Sequence, residues 1–133
     1  MFEAFKLAER AFDEDEIPVG AVIVKDGKII GRGYNQKEKF KNPLKHAELV
    51  AIEEACNFIG DWRLNDCEIY VTLKPCSMCL GAIKETRIKK IVYGIEKNEQ
   101  TNLNSDLECI IGGVLQKDCL EILQKFFKKK RNK

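Results

Sequence analysis

The sequence predicts an α/β protein in which a partly parallel sheet carries helices on both faces. Two observations carry that expectation. Stretches with the two-residue rhythm of strands alternate along the chain with stretches of helical rhythm, and such alternation buries strands between layers of helices. The 133 residues, 44% of them hydrophobic, also suffice for one core without disulfide staples, so a single domain over 1–133 is expected.

Each element follows from local pattern. Phe2, Phe5, Ala8 and Phe12, with Leu7 and Ala11, recur at helical spacing, so residues 2–14 read as an amphipathic helix that cannot continue past Pro18. Residues 19–24 are apolar and rich in β-branched side chains, Asp26-Gly27 is a two-residue hairpin turn, and 28–33 return as a second strand. Residues 35–45 are polar, contain Pro43 and Lys37, Lys39, Lys41 and Lys45, and read as a loop. From His46 a helix runs to about Phe58, with Leu49, Ile52 and Ala55-Cys56 as its apolar face and Gly60 as its stop.

Residues 67–73 alternate Ile69, Val71 and Leu73 against Glu68, Tyr70 and Thr72, as a strand does. Pro75 suits the entry of a helix from about Cys76 to Glu85. Residues 90–93 are a strand, 94–107 are polar and patternless, and 109–111 are a last short strand before Gly112-Gly113. Val114, Leu115, Cys119, Ile122, Leu123, Phe126 and Phe127 form a final amphipathic helix. A parallel crossover needs roughly a dozen residues, which 95–106 barely supplies, so the direction of the last strand stays open.

Bulk properties exclude some classes. No apolar run approaches the roughly 20 residues that span a bilayer, and the N-terminus lacks the charged-then-apolar order of a secretion signal. A cytoplasmic protein with reduced cysteines is expected. Net charge is only +2 but uneven: residues 1–16 carry six acids, and the last nine residues carry six bases. A basic tail suits a phosphate backbone, and it equally suits a solvated chain end.

Of the six cysteines, only Cys76 and Cys79 have ligand spacing; Cys56, Cys67, Cys109 and Cys119 read as small core residues. A catalytic zinc needs three protein ligands and one open position, and His46 with Cys76 and Cys79 supplies that set. Both groups fall at helix starts, where two N-termini facing one another across the sheet would converge and the helix dipole would lower a thiol pKa. Two thiolates and a neutral imidazole cancel the metal's charge and still leave a bound water acidic enough to ionise near neutral pH. Glu48, two residues after His46, does not share its face of the helix but can reach over that water as a proton carrier. A lone Cys-x-x-Cys could be a redox pair. The joint pattern His46-x-Glu48 … Pro75-Cys76-x-x-Cys79 instead matches the signature of zinc nucleobase deaminases.

At these residues the chain resembles the cytidine/deoxycytidylate deaminase superfamily and, within it, the bacterial tRNA-specific adenosine deaminases. Ile17-Pro18-Val19-Gly20-Ala21-Val22, Gly33-Tyr34-Asn35, His46-Ala47-Glu48, Trp62-Arg63-Leu64 and Tyr70-Val71-Thr72-Leu73 carry the likeness. Pro75-Cys76-Ser77-Met78-Cys79, Gly81-Ala82-Ile83, Arg87-Ile88, Val92-Tyr93-Gly94 and Phe126-Phe127 continue it over nearly the whole chain. The resemblance implies a three-layer α/β/α sandwich of the cytidine deaminase-like type around a mixed five-stranded sheet, one zinc ion (Zn2+) per protomer and a homodimer. It implies that the wobble adenosine of a tRNA anticodon loop becomes inosine. His46, Cys76 and Cys79 match the ligands, Glu48 the proton shuttle, Asn35 a residue that hydrogen-bonds the flipped nucleoside, and Val19 the pocket wall. Phe126 and Phe127 are candidates for a base-stacking surface, or for core packing of the last helix.

The chain departs from the family at three points. Lys74 stands where a glutamate usually precedes Pro-Cys, and Ser77 replaces a common proline or valine. Residues 95–106 are shorter than, and unlike, the Gly/Ala/Ser-rich connection that helps shape the family's nucleic-acid groove. Two alternatives therefore stand beside an RNA deaminase: a deaminase of free guanine, cytosine or a nucleoside, and a non-catalytic zinc-stabilised binding module. The last would want a fourth protein ligand, and the chain has no second histidine.

Overall fold

Asp26 and Gly27 take φ of 52° and 76°, the left-handed pair of a tight hairpin turn whose twist matches that of its strands. From this turn β1 (Gly20–Lys25) and β2 (Lys28–Tyr34) zip antiparallel, from Lys25 opposite Lys28 to Gly20 opposite Tyr34. The computed structural model describes residues 1–96, 107 and 109–132. Among these, β3 (Cys67–Leu73), β4 (Lys90–Ile95) and β5 (Cys109–Ile111) complete a five-stranded sheet in the order β2-β1-β3-β4-β5. β3 is antiparallel to β1 and parallel to β4, and β5 is parallel to β4, which settles the strand direction that the sequence left open. β4 runs past Tyr93 to Ile95, so Gly94 and Ile95 belong to the sheet rather than to a patternless stretch: Ile95 pairs with Leu73 and accepts the Lys74 N–H. Most of the segment 95–106 lies outside the described residues.

The helices are α1 (Phe2–Asp13), α2 (Lys37–Phe40), α3 (Ala47–Ile59), α4 (Ser77–Glu85) and α5 (Gln116–Arg131). α3 and α4 pack together on one face of the sheet, and α1 and α5 on the other, giving the mixed three-layer sandwich. The α3–α4 side encloses Ile23, Ile69, Val71, Ile83 and Ile91, all fully buried, each contributing about 1.5–3 kcal/mol by leaving water.

Small residues, not large ones, set how close the helices lie. The face of α3 in deepest contact is Ala47, Ala51 and Ala55, while Leu49, Ile52 and Cys56 are only half-buried. The reason lies in β2: a Cβ on Gly33 would stand 2.3 Å from the Ala47 carbonyl oxygen, and one on Gly31 2.3 Å from that of Ala51. Bare strand backbone admits a bare helix face. In the same way α1 buries Ala4, Ala8 and Ala11, whereas Phe2 is exposed and Phe5 and Phe12 are half-buried. Phe12 instead meets Phe126 of α5 edge to face, 6.3 Å between centroids, and Lys130 pairs with Asp15 at 2.6 Å beside it. Cys67 and Cys119 are buried as expected; Cys56 and Cys109 are half-buried, and all four are free thiols.

The stretch 35–45 is not wholly a loop. It contains the single turn α2, whose Glu38 and Lys39 N–H groups are accepted by the buried Glu16 carboxylate at 3.0 and 2.9 Å. The turn ends at Lys41 in the left-handed conformation. Among the described residues no helix is long and apolar enough to cross a membrane.

Candidate metal centre

His46 is the N-cap of α3, with extended backbone at φ −79°, ψ 149°, and so sits where the helix presents unpaired N–H groups. It offers no side-chain cap of its own. That task falls to Asn35, at the end of β2, whose Oδ1 accepts the Ala47 N–H at 2.8 Å. Gly33 sets the depth of the same turn, and the His46 N–H is given to Leu44. The backbone that carries the imidazole is thereby held by the end of β2 on one side and by the preceding loop on the other.

Cys76 is the N-cap of α4, again with extended backbone, behind the fully buried Pro75. Its carbonyl accepts the Leu80 N–H at 2.8 Å, which starts the helix and carries Cys79 into the first turn, where it is completely buried. The two N-termini therefore lie side by side on one face of the sheet rather than across it, because α3 and α4 occupy the same layer.

The ligand atoms of His46, Cys76 and Cys79 all lie within 4.8 Å of one another, and Cys79 Sγ is 3.5 Å from His46 Nδ1. A tetrahedral zinc with bonds of roughly 2.0–2.3 Å holds such donors about 3.3–3.8 Å apart, a spacing that Cys79 and His46 already meet. Burial, then the neighbouring Glu48 and Cys76, push the Cys79 thiol far above the ordinary thiol range. Glu48, only 4% exposed, hydrogen-bonds the Cys79 thiol, which brings its carboxylate to the edge of the triangle.

The four expected substrate contacts separate. Asn35, Phe126 and Phe127 line one cleft of about 650 Å³, together with Ile17, Lys37 and Lys130. Phe126 is 5% exposed and packed on Phe12, whereas Phe127 is 43% exposed. Val19 is buried in the α3–α4 core and gives its carbonyl to the Asn35 N–H.

Sequence reasoning noticed Lys74 only as a departure from the family. Its ammonium pairs with Glu96 at 2.7 Å, and Glu96 also accepts the Tyr93 hydroxyl. This ties the residue ahead of Pro75-Cys76 to the end of β4. A lysine replacing an acid beside the ligand loop was the available signal that an acidic partner had to lie nearby.

The family model of MafB19-like deaminases matches residues 1–131. A tRNA-specific adenosine deaminase of Streptococcus pyogenes serotype M1 is 40% identical over 100% of this chain and 84% of its own length. The chain belongs to the tRNA-specific adenosine deaminase family. A solved structure from work on A-to-I editing by tRNA:A34 deaminases at the wobble position of transfer RNA superposes with a TM-score of 0.83. It is 32% identical to this family member and covers 90% of this chain and 95% of that one. The X-ray structure of guanine deaminase from Bacillus subtilis matches at a TM-score of 0.68 and 43% identity, over 71% of this chain and 61% of that one. The sandwich is thus the cytidine deaminase-like fold, and the protein is a deaminase.

Proposed function

We propose that this protein converts the wobble adenosine of a tRNA anticodon to inosine by zinc-dependent hydrolysis. The observation that carries the reading is the convergence of His46, Cys76 and Cys79 beside the buried carboxylate of Glu48, in a member of this family. His46, Cys76 and Cys79 hold one zinc ion per protomer. When bound there, zinc lowers the pKa of a water in its fourth position and so makes a nucleophile available near neutral pH.

Glu48 takes a proton as oxygen adds to the carbon bearing the amine. It passes that proton to the ring nitrogen and then carries the remaining proton of the added hydroxyl to the leaving nitrogen, so the amine departs as ammonia and a carbonyl takes its place. General acid–base help of this kind is worth ~10²–10⁴ in rate. Asn35 has its Oδ1 engaged by Ala47, so its amide nitrogen is the group left to donate to the nucleoside. Val19 backs the pocket by holding the Asn35 backbone, and Phe126 and Phe127 form an apolar wall for the unpaired bases of the loop. The chain works in the cytoplasm as a single domain over 1–133, paired in a homodimer.

Incubation of purified protein with total tRNA, followed by nucleoside analysis for inosine, tests the reading. Ammonia release from free bases is measured in parallel, because the identity to guanine deaminase favours a free purine as the second reading. Inosine in tRNA, suppressed steeply by salt as phosphate contacts predict, supports the first. Ammonia from guanine without inosine in tRNA replaces it with the second.

A further inference from the structure

Phe40 is 52% exposed, at the end of α2, and its neighbour in the same segment, Leu44, is 55% exposed. Yet the segment that holds them is built with care. Glu16, only 2% exposed, gives both carboxylate oxygens to α2. The Gln36 N–H is accepted by Lys45, the Lys45 N–H by Asn42, and the Leu44 N–H by the Asn42 side chain at 2.9 Å. A chain that buries a carboxylate to order one turn, and then turns a phenyl ring to water, has fixed that ring for contact.

The surroundings state the chemistry of the contact. The ammonium groups of Lys39 and Lys45 lie 5.7 and 5.4 Å from the Phe40 centroid, and Lys37 and Lys41 stand in the same segment, against Glu38 as its acid. The lysines' own ion pairs, Lys39 to Glu14 at 3.7 Å and Lys45 to Glu53 at 4.0 Å, are long and open to solvent on one side, so they yield readily to phosphate. An exposed ring with two mobile ammonium groups over it can exchange them for a base that stacks on the ring while the lysines turn to its phosphates. The segment leads directly into His46, and its Lys37 and Lys39 line the same cleft as Asn35.

We propose that Phe40 is a stacking platform for an unpaired RNA base next to the one being deaminated, with Lys39 and Lys45 facing its phosphates. This rests on the RNA reading above. The test uses a stem-loop RNA with a wobble adenosine and the Phe40→Ala, Phe40→Leu and Phe40→Trp variants. Stacking on one aromatic predicts that Ala and Leu raise KM about tenfold, with kcat within about twofold of the parent and Trp close to it. Stem-loops with 2-aminopurine on either side of the wobble position should show fluorescence quenching by the parent protein at one site, and none with Phe40→Ala. An active parent with KM unchanged in Phe40→Ala, or in Phe40→Leu, overturns the platform and leaves the RNA reading standing. A parent inactive on the stem-loop overturns both.

Discussion

Asn35 and Ala47 are joined by a hydrogen bond of 2.8 Å that crosses from the end of β2 to the first turn of α3. The bond satisfies a helix-end N–H beside His46 and does so from the sheet. Asn35→Ala should destabilise the protein by about 1–2 kcal/mol, the cost of an emptied cap on a buried donor, and should weaken zinc retention. Asn35→Asp keeps the acceptor but replaces the amide nitrogen. It should hold the melting temperature and the metal while turnover falls, and thermal melts with metal analysis on both variants separate the two roles.

Glu48→Ala should keep fold and zinc and lose turnover by roughly 10²–10⁴-fold, the share a positioned carboxylate supplies. Single-turnover assays beside elemental analysis check this. Retained turnover removes Glu48 from the chemistry.

Gly33→Ala should be costly, because the new methyl group meets the Ala47 carbonyl oxygen at 2.3 Å and neither backbone can yield without moving α3. A loss of about 1–3 kcal/mol is expected, with weakened zinc binding. Gly81, in α4, has nothing within 4 Å of such a methyl group, so Gly81→Ala should raise stability by about 0.5–1 kcal/mol. Denaturant unfolding of the pair reads the contrast.

Burial, then the hydrogen bond to and the negative charge of Glu96, push the Tyr93 hydroxyl up to about 12 from an unfolded value of 10. The neutral phenol is therefore favoured in the folded state. The stability it contributes is fully present below pH 10 and is lost as pH rises through about 12. Unfolding midpoints measured across that alkaline range should fall for the parent protein and fall less for Tyr93→Phe.

The strands and long helices were legible because each is written in its own few residues: the Asp26-Gly27 turn, the alternation of 67–73, the helical spacing of 114–127. The convergence of His46 with Cys76 and Cys79 was legible because the two groups have spacings that zinc chemistry requires. What escaped was decided between distant residues. The turn α2 has no periodicity and depends on Glu16, more than twenty residues earlier. The buried face of α3 was misjudged because apolar size was weighed on the helix alone. Gly31 and Gly33 against Ala47, Ala51 and Ala55 form a signal only when strand and helix are considered together. The direction of β5 depends on pairing with β4, and the high thiol of Cys79 on burial that no local pattern encodes.

The contact of Phe12 with Phe126, latched by Asp15 and Lys130, closes one whole layer with the first and last helices. During synthesis on the ribosome, α1 emerges first and waits with its half-covered aromatic side open to solvent until α5 is made. The opposite layer, with His46, Cys76 and Cys79, is complete before that. The last of these helices thus seals a face that the rest of the fold leaves bare, and belongs to the closing of the structure rather than to its founding core.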